Sequence, residues 1–336
     1  MTGQVVILGG AVLDLHARPV NGSPLQPGGT VPGHVRQVPG GVSRNIAECM
    51  AHVGRQRPLL VSVVGQDVAA EALKAGLHAA GLQSHALTSK PGIATASCLT
   101  LVDADGEVAG AVADVAGMDC LLPEDVRRHA TNIQAAPLVL LDGNLPAGCL
   151  QEAASIASDA GVPVWYEPTS VPKSSRALPI LRNITFTSPN AKELVAMANG
   201  LRAAGGLAAL PVSAGMAEVS LDDPPGSPTG SSGQGMVRLR LQALLPHIKT
   251  LLQEGVLHIV LTLGSAGAAC LVAGCVDALL RGLGPGQALA FGVAAAKHAA
   301  ESLANVPLGI SPAALEADAR QAIQQLTRWD FPSSRI

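Results

Sequence analysis

The stretch that decides the fold reads Val38-Pro39-Gly40-Gly41-Val42-Ser43-Arg44-Asn45-Ile46-Ala47-Glu48. A glycine pair lets the backbone approach a ligand closely, and Asn45 follows it with a carboxamide that both donates and accepts hydrogen bonds. Apolar residues at Ile46, Met50 and Val53 recur at helical spacing, so the glycines open a helix whose first N–H groups are exposed. This arrangement suits a polyhydroxylated ligand. The alternative is a glycine-rich loop that only turns the chain, and the spacing by itself favours that alternative.

The composition indicates an α/β protein with a large buried core. Of the 336 residues, 48% are hydrophobic and only 14% are charged, and the mean hydropathy is +0.34. Aromatic residues make up 2%, so small aliphatic side chains must fill the core, as in parallel strands covered by alanine-rich helices. The net charge of −3 and the scattered basic residues predict no nucleic-acid partner.

The cysteines and the ends of the apolar runs predict a cytoplasmic protein. The six cysteines form no Cys-x-x-Cys pair, and we expect them to be reduced, mostly buried and without zinc; they are Cys49, Cys98, Cys120, Cys149, Cys270 and Cys275. The chain enters a strand directly after its first residues, without the pattern of a signal peptide. Its apolar runs are broken by Gly or Pro, so no membrane span is expected.

Buried strands alternate with helices along most of the chain. Continuous apolar runs predict strands at 5–10, 59–65, 138–142, 162–167 and 184–188, and helical spacing predicts helices at 44–54 and 69–80. Residues 94–112 alternate about the turn signal Asp103-Ala104-Asp105-Gly106, which predicts a hairpin. A hairpin within a β-then-α rhythm suggests a small lid.

Polar residues follow three of the predicted strands. Asp142, Asn144, Glu167 and Asn190 stand at or just after strand ends. In an open α/β sheet the ligand lies beyond the carboxyl ends of the strands, so we expect these residues to gather at one site. A helix cap or a turn is the commoner role for any one of them.

The second half contains an interruption. Residues 205–236 include a low-complexity Pro/Gly/Ser run and predict a disordered surface insertion. A helix closing at 247–254, a further buried strand at 258–264 and a long helix at 285–303 are predicted after it.

The ordered motifs of the chain resemble those of the ribokinase-like, or pfkB-type, sugar and nucleoside kinases. In chain order they are Gly9-Gly10 with Asp14, Gly40-Gly41 with Asn45, Gly65-Gln66-Asp67, Asp142-Gly143-Asn144, Pro189-Asn190-Ala191-Lys192-Glu193 and Thr262-Leu263-Gly264. Three segments, 40–48, 142–146 and 301–306, resemble the branch that phosphorylates the nucleoside pseudouridine. The resemblance implies one domain over 1–336, a three-layer α/β sandwich with a mostly parallel central sheet, and a small β lid at about 30–40 and 92–115.

The resemblance also implies a reaction and a site. The reaction is transfer of a phosphoryl group from ATP, with Mg²⁺ and optionally a monovalent cation, to the 5′-hydroxyl of a ribose-containing nucleoside. The implied substrate-binding residues are Asp14, Gly40, Gly41, Asn45, Thr95 and Asn144, with Ser97 beside Thr95 on the lid. The implied nucleotide-site residues are Asn190, Thr262, Gly264, Gly267 and Asn305, and Glu193 is implied to hold Mg²⁺ through water. Many relatives pair through their lids, so a homodimer is an expectation.

One motif of the resemblance is missing. The family's Gly-Ala-Gly-Asp supplies an anion hole and a general base, but here Ala269 stands where the Asp is expected and the preceding pair of strands has no room. A deletion near 267–270 is the simplest account, and it predicts low activity. A non-catalytic isoform that binds nucleoside or nucleotide is the first alternative. A nicotinamide-dependent oxidoreductase would need Gly-x-Gly-x-x-Gly, which residues 9–14 do not supply.

Overall fold

The computed structural model contains a large parallel sheet, a small sheet and helices packed on both faces of the large one. It describes residues 3–20, 23–25, 28–53, 56–103, 108–211, 233–262, 268–300, 306–307 and 311–326. The predicted α/β sandwich with a mostly parallel central sheet and a small second sheet is confirmed.

Within these ranges, the large sheet has seven strands, all parallel. The strands are β1 Val6–Leu8, β4 Leu59–Val64, β5 Leu87–Ser89, β8 Val139–Asp142, β9 Val164–Glu167, β10 Phe186–Thr187 and β11 His258–Ile259, in the spatial order β11-β10-β9-β8-β1-β4-β5. Ile7 faces one hydrophobic layer, whereas Val6 and Leu8 face the other. Because both faces are covered, these strands read as continuous apolar runs.

The small sheet has the order β3-β2-β6-β7. Its strands are β2 Val12–Pro19, β3 Gly33–Gly40, β6 Ser97–Val102 and β7 Val108–Asp114. β6 and β7 pair antiparallel, as the predicted hairpin requires, and β3 pairs antiparallel with β2. β2 was not predicted as a strand, and it pairs with both β3 and β6. It therefore connects the segment after Gly9-Gly10 to the hairpin.

Helices form the two outer layers. They are α1 Val42–Val53, α2 Val68–Ala79, α3 Pro123–Arg127, α4 Ala130–Ala135, α5 Ala147–Asp159, α6 Val171–Ser174, α7 Ala191–Ala204, α8 Gly233–Gln253, α9 Ala268–Leu280, α10 Pro285–Ala300 and α11 Pro312–Gln325. The layer containing α1, α2, α9, α10 and α11 covers one face of the sheet. The layer containing α3, α4, α5, α7 and α8 covers the other.

Two expectations about the second half are wrong. Residues 233–236, placed in the disordered insertion, begin α8, while 212–232 lie outside the described residues. The strand expected to be buried, β11, has only two residues and forms the edge of the sheet, with His258 exposed. A largely apolar cavity of about 490 Å³ lies beside this edge, lined by residues that include Trp165, Phe186 and Leu279.

The expectation that all cysteines are reduced is also wrong. Cys49 of α1 and Cys270 of α9 form a disulfide, with their Cα atoms 5.6 Å apart. They are 221 residues apart in sequence, so only the packing of the two helices in one core layer brings them together.

Among the described helices, none is long and apolar enough to cross a bilayer.

Candidate functional site

The candidate site lies at the carboxyl ends of β1 and β8. β1 has β4 on one side and β8 on the other. The strands that follow β1 in the chain are therefore added first on one side of it and later on the other, which makes this point the reversal of the strand order. A crevice forms beyond the strand ends at such a reversal, because the connections on either side diverge. Gly9 and Gly10 follow β1, and Asp142 ends β8.

Asp142 forms hydrogen bonds to three segments that line the crevice. Its fully buried carboxylate accepts hydrogen bonds from the backbone N–H of Gly10 (2.9 Å) and of Ser43 (3.1 Å). It also accepts from the backbone N–H of Asn144 at 2.8 Å and from the Asn144 amide nitrogen at 3.2 Å. Because Ser43 lies in the first turn of α1, the carboxylate meets a helix N-terminus, where a negative charge is stabilised. Asp142 therefore positions the glycine loop and α1.

Three of the predicted substrate residues lie together above this point. A Cβ atom built on Gly40 would stand 1.9 Å from Asp14 Oδ2, and one on Gly41 would stand 2.4 Å from the Gly10 carbonyl oxygen. Gly41 also has a φ of +91°, which favours glycine. The glycine pair is thus required by close approach and by backbone conformation. The Asp14 carboxylate, half-buried on β2, lies against Gly40 at the end of β3.

A buried arginine beneath the glycine pair was not predicted. Arg44 has 2% of its surface exposed, and it donates to the carbonyl oxygens of Pro39 (2.6 Å) and Gly40 (3.2 Å). It also donates to the Asn45 Oδ1 atom and forms an ion pair with Glu48. Burial lowers the Arg44 pKa to about 10, against the opposing effect of Asp14. Arg44 lies within the glycine-rich motif of residues 38–48, but its burial depends on tertiary packing.

Asn144, another predicted substrate residue, contacts a second group of polar residues. Its Oδ1 atom accepts from Lys173 Nζ at 2.5 Å, and burial lowers the Lys173 pKa. Nearby, Thr169 has a φ of +71° and accepts a hydrogen bond from the Gly143 N–H at 3.1 Å. A β-branched residue in this region is strained, and such strain concentrates at functional sites. Neither Lys173 nor Thr169 was singled out by the sequence patterns.

The predicted metal residue forms part of a helix cap. The Asn190 side chain accepts from the Glu193 N–H, and the Glu193 carboxylate accepts from the Asn190 N–H, both at 2.9 Å. This reciprocal capping box begins α7. Burial raises the Glu193 pKa. Thr262 forms a parallel bridge with Asn190, so these two predicted nucleotide-site residues are neighbours.

Glu167 adds a second buried carboxylate at this end of the sheet. It accepts a hydrogen bond from the Ser188 hydroxyl, which in turn accepts from the Trp165 indole N–H at 2.8 Å. Burial, together with the charge of Glu193, raises the Glu167 pKa to about 8 against the lowering effect of the hydrogen bond from Ser188. The charge of Glu193 disfavours ionisation of Glu167, and a bound cation would relieve this effect. The described residues contain no group of three or more His, Cys, Asp or Glu residues able to hold a metal.

Thr95 lies in a buried network between the large sheet and the small sheet. Its hydroxyl donates to Asp67 Oδ1 at 2.6 Å and accepts from the Gly65 N–H at 2.8 Å, and its own N–H donates to Asp67 Oδ2 at 2.8 Å. Burial raises the Asp67 pKa, but the hydrogen bonds from Thr95 and Ala70 outweigh it and leave the pKa lowered. Thr95 thus joins the end of β4 to the start of β6. Ser97, the first residue of β6, pairs with Leu13 and Asp114.

The remaining predicted residues include three that the structure does not describe. Gly264, Gly267 and Asn305 lie outside the described residues. Ala269 is the second residue of α9. Asp277 lies further along α9, where it is buried and forms an ion pair with Arg281 at 3.7 Å.

The fold and the crevice define a ribokinase-like α/β protein. A carbohydrate kinase from Agrobacterium tumefaciens has a TM-score of 0.71 at 19% identity, covering 95% of this chain and 97% of its own. A ribokinase from Arabidopsis thaliana, solved with ribose and ATP, has a TM-score of 0.70 at 16% identity, covering 95% and 99%.

The chain belongs to the pfkB family of carbohydrate kinases, whose family model matches residues 3–218. It is 36% identical to a pseudouridine kinase from Arabidopsis thaliana over 266 residues, which are 79% of this chain and 64% of that one. It is 31% identical to a pseudouridine kinase from Escherichia coli over 189 residues, 56% of this chain and 59% of that one. The chain thus spans less than two thirds of either relative.

Proposed function

We propose that this protein binds a ribose-containing nucleoside, pseudouridine in particular, and transfers the γ-phosphoryl group of ATP to its 5′-hydroxyl with low efficiency. The observation that carries the proposal is the meeting of Asp14 with Gly40 and Gly41 at the strand reversal. The two pseudouridine kinases among the relatives support the choice of nucleoside.

The sugar side of the crevice has the chemistry that a vicinal diol needs. A ribose hydroxyl both donates and accepts, so it pairs with an ionised carboxylate such as Asp14 and with an amide donor such as Asn45. The missing side chains at Gly40 and Gly41 let the backbone come close to the sugar. In phosphoryl transfer, positioning and charge neutralisation supply most of the catalysis.

The nucleotide side fits Mg²⁺ together with ATP. Glu193 and Glu167 supply two buried carboxyl groups whose pKa values burial raises, so a bound cation would stabilise their ionised forms. Mg²⁺ is usually held by one or two carboxylates plus water and phosphate oxygens, which agrees with so small a set. When bound, it would neutralise charge on the phosphates. Thr262 and Asn190 would line the nucleotide, with Gly264, Gly267 and Asn305 proposed beside them.

Low turnover follows from the residues at the start of α9. Ala269 has no group that accepts the proton of the 5′-hydroxyl, and loss of a general base costs about 10²–10⁴ in rate. Loss of an anion hole costs roughly a further 10²–10³. Asp277 lies two turns further along the helix and pairs with Arg281. A nucleoside-binding protein without turnover is the second candidate, and Ala269 is the observation that favours it.

Binding of the nucleoside tests the proposal. Calorimetric titration of pseudouridine should give saturable binding to the wild-type protein and none to Asp14→Ala. The exposed Asp159, at the end of α5, provides the matched control, and Asp159→Ala should bind as the wild type does. If pseudouridine binds Asp14→Ala as tightly as the wild type, the sugar clamp formed by Asp14, Gly40, Gly41 and Asn45 is wrongly placed. If it binds none of the three proteins, the proposed substrate is wrong.

A further inference from the structure

The guanidinium of Arg44 is a buried cation beside the sugar clamp, with four hydrogen-bond partners. Its Nε atom donates to the Gly40 carbonyl oxygen at 3.2 Å, and one terminal nitrogen donates to the Pro39 carbonyl oxygen at 2.6 Å. The other terminal nitrogen pairs with Glu48, one turn further along α1. One planar group thus connects the end of β3, the glycine pair and the first two turns of α1.

The same guanidinium fixes the orientation of the Asn45 carboxamide. Arg44 can only donate, so the Asn45 atom that faces it must be the acceptor Oδ1. The Nδ2 amino group is then the part of the carboxamide available to a ligand. Asn45 therefore offers a donor, while the ionised Asp14 offers an acceptor. A ribose hydroxyl matches this pair because it can accept from one and donate to the other.

We propose that Arg44 is a positioning residue that does not touch the substrate. It turns the Asn45 amide nitrogen toward the ligand and holds the backbone of the Gly40-Gly41 turn in place. The role rests on the proposed function only for the identity of the ligand. Lysine cannot replace Arg44, because a single ammonium group does not reproduce the planar fork that reaches Pro39, Gly40, Asn45 and Glu48 together.

The primary test compares Arg44→Lys with Arg57→Lys. Arg57 is an exposed arginine that follows α1 in the chain. It donates to the carbonyl oxygen of Ala51, near the end of α1, at 2.6 Å, away from the clamp. Arg44→Lys should weaken pseudouridine binding at least tenfold by calorimetry and leave MgATP affinity within twofold of wild type. Arg57→Lys should leave both affinities within twofold. Pseudouridine affinity within twofold of wild type in Arg44→Lys would overturn the role.

A second readout does not depend on the substrate. In protein labelled with ¹⁵N at asparagine, Asn45→Asp identifies the Asn45 side-chain amide signals by their loss. Arg44→Lys should shift those signals in the ligand-free protein, and Arg57→Lys should not. If the wild type fails to bind pseudouridine, the proposed function fails, and the amide signals alone decide on Arg44: a shift supports the role and unchanged signals overturn it.

A milder variant keeps the test decisive if Arg44→Lys does not fold. Glu48→Gln keeps an acceptor for Arg44 but removes the charge that anchors it, and Glu48 is largely buried. We expect the Asn45 amide signals to shift and pseudouridine binding to weaken about threefold. Unchanged signals together with unchanged affinity in Glu48→Gln would overturn the role.

Discussion

Gly40 sets the distance between two parts of the sugar clamp. It ends β3 beside Val12 of β2, two residues before Asp14. The Asp14 carboxylate occupies the space where a side chain at position 40 would stand. The carboxylate can therefore hold its place only if residue 40 has no Cβ atom.

Gly40→Ala should displace the Asp14 carboxylate, because the new methyl group would stand 1.9 Å from Oδ2. We expect pseudouridine affinity to fall at least tenfold, and stability to fall by about 1–3 kcal/mol from overpacking. Gly110 on β7, where an added Cβ meets nothing within 4 Å, provides the control Gly110→Ala. Calorimetry and denaturant unfolding check both variants. Equal affinities in the two would show that Asp14 does not depend on Gly40.

Glu167 links protonation to stability. Burial raises its pKa from the ordinary 4.5 to about 8. Between these two values the folded protein holds a proton that the unfolded chain has released. The free energy of unfolding therefore falls as the pH rises from 4.5 to 8, with a limiting slope of about 1.4 kcal/mol per pH unit. Below pH 4.5 this contribution is fully present.

Glu167→Gln should flatten the pH dependence of stability between pH 4.5 and 8. Glutamine keeps a neutral side chain that can pair with Ser188, and it has no proton to lose, so the variant should gain most over wild type near pH 8. Glu71→Gln, which removes an exposed carboxylate paired with Lys74, should leave the slope as in wild type. Denaturant unfolding at several pH values measures it, and parallel curves for wild type and Glu167→Gln would contradict the account.

Thr95 joins the small sheet, the proposed lid, to the large sheet. Its hydroxyl is already engaged with Asp67 and Gly65. A hydroxyl has one hydrogen and two lone pairs, so Thr95 retains at most one lone pair for a nucleobase. Its predicted contact with the base stays a prediction, restricted to the acceptor role.

Thr95→Val and Thr95→Ser distinguish the contribution of the hydroxyl to stability from that of the methyl group. Valine removes one of the hydrogen bonds to the Asp67 carboxylate and leaves the buried Gly65 N–H without its partner. We therefore expect a loss of about 1–3 kcal/mol in the free energy of unfolding. Serine keeps the hydroxyl and should lose less than about 1 kcal/mol. Denaturant unfolding distinguishes the two. Equal losses would show that the methyl group matters and the network does not.

The elements that sequence patterns predicted well are those with local signals. β4, β8 and β9 read as continuous apolar runs, and β6 and β7 flank a clear turn signal. β2 was missed because its partners, β3 and β6, are distant in sequence. β11 was expected to be buried, but burial of a strand depends on a neighbour beyond it, and within the described chain β11 is the last strand of the sheet.

The residues of the candidate site likewise divide into those with a local sequence signal and those that depend on tertiary packing. Asp14, Gly40 and Gly41 were predicted to act together, and the structure brings them together. Arg44 and Lys173 were not predicted as site residues, because a basic residue in a sequence usually marks a solvated surface and only packing shows that it is buried. The strain at Thr169 is likewise a backbone property that residue type does not reveal.

For the whole molecule, the Cys49–Cys270 link joins the helix of the sugar clamp to α9. A loop of 221 residues closed by a disulfide gains roughly 5 kcal/mol in the chain-entropy model. We expect four titratable thiols in the denatured, unreduced protein, namely Cys98, Cys120, Cys149 and Cys275. Reduction should lower the melting temperature of wild type but not of Cys49→Ser. Six thiols before reduction would contradict the link.

We propose that the molecule keeps the sugar clamp of a kinase but lacks the group that activates the hydroxyl. The most direct test is the rate at which labelled γ-phosphate passes from MgATP to pseudouridine, measured for wild type and for Asp14→Ala. Protein kinases turn over at about 1–100 s⁻¹, and the expected losses place wild type below roughly 10⁻² s⁻¹, with no transfer in Asp14→Ala. A wild-type rate near or above about 1 s⁻¹ would contradict the account.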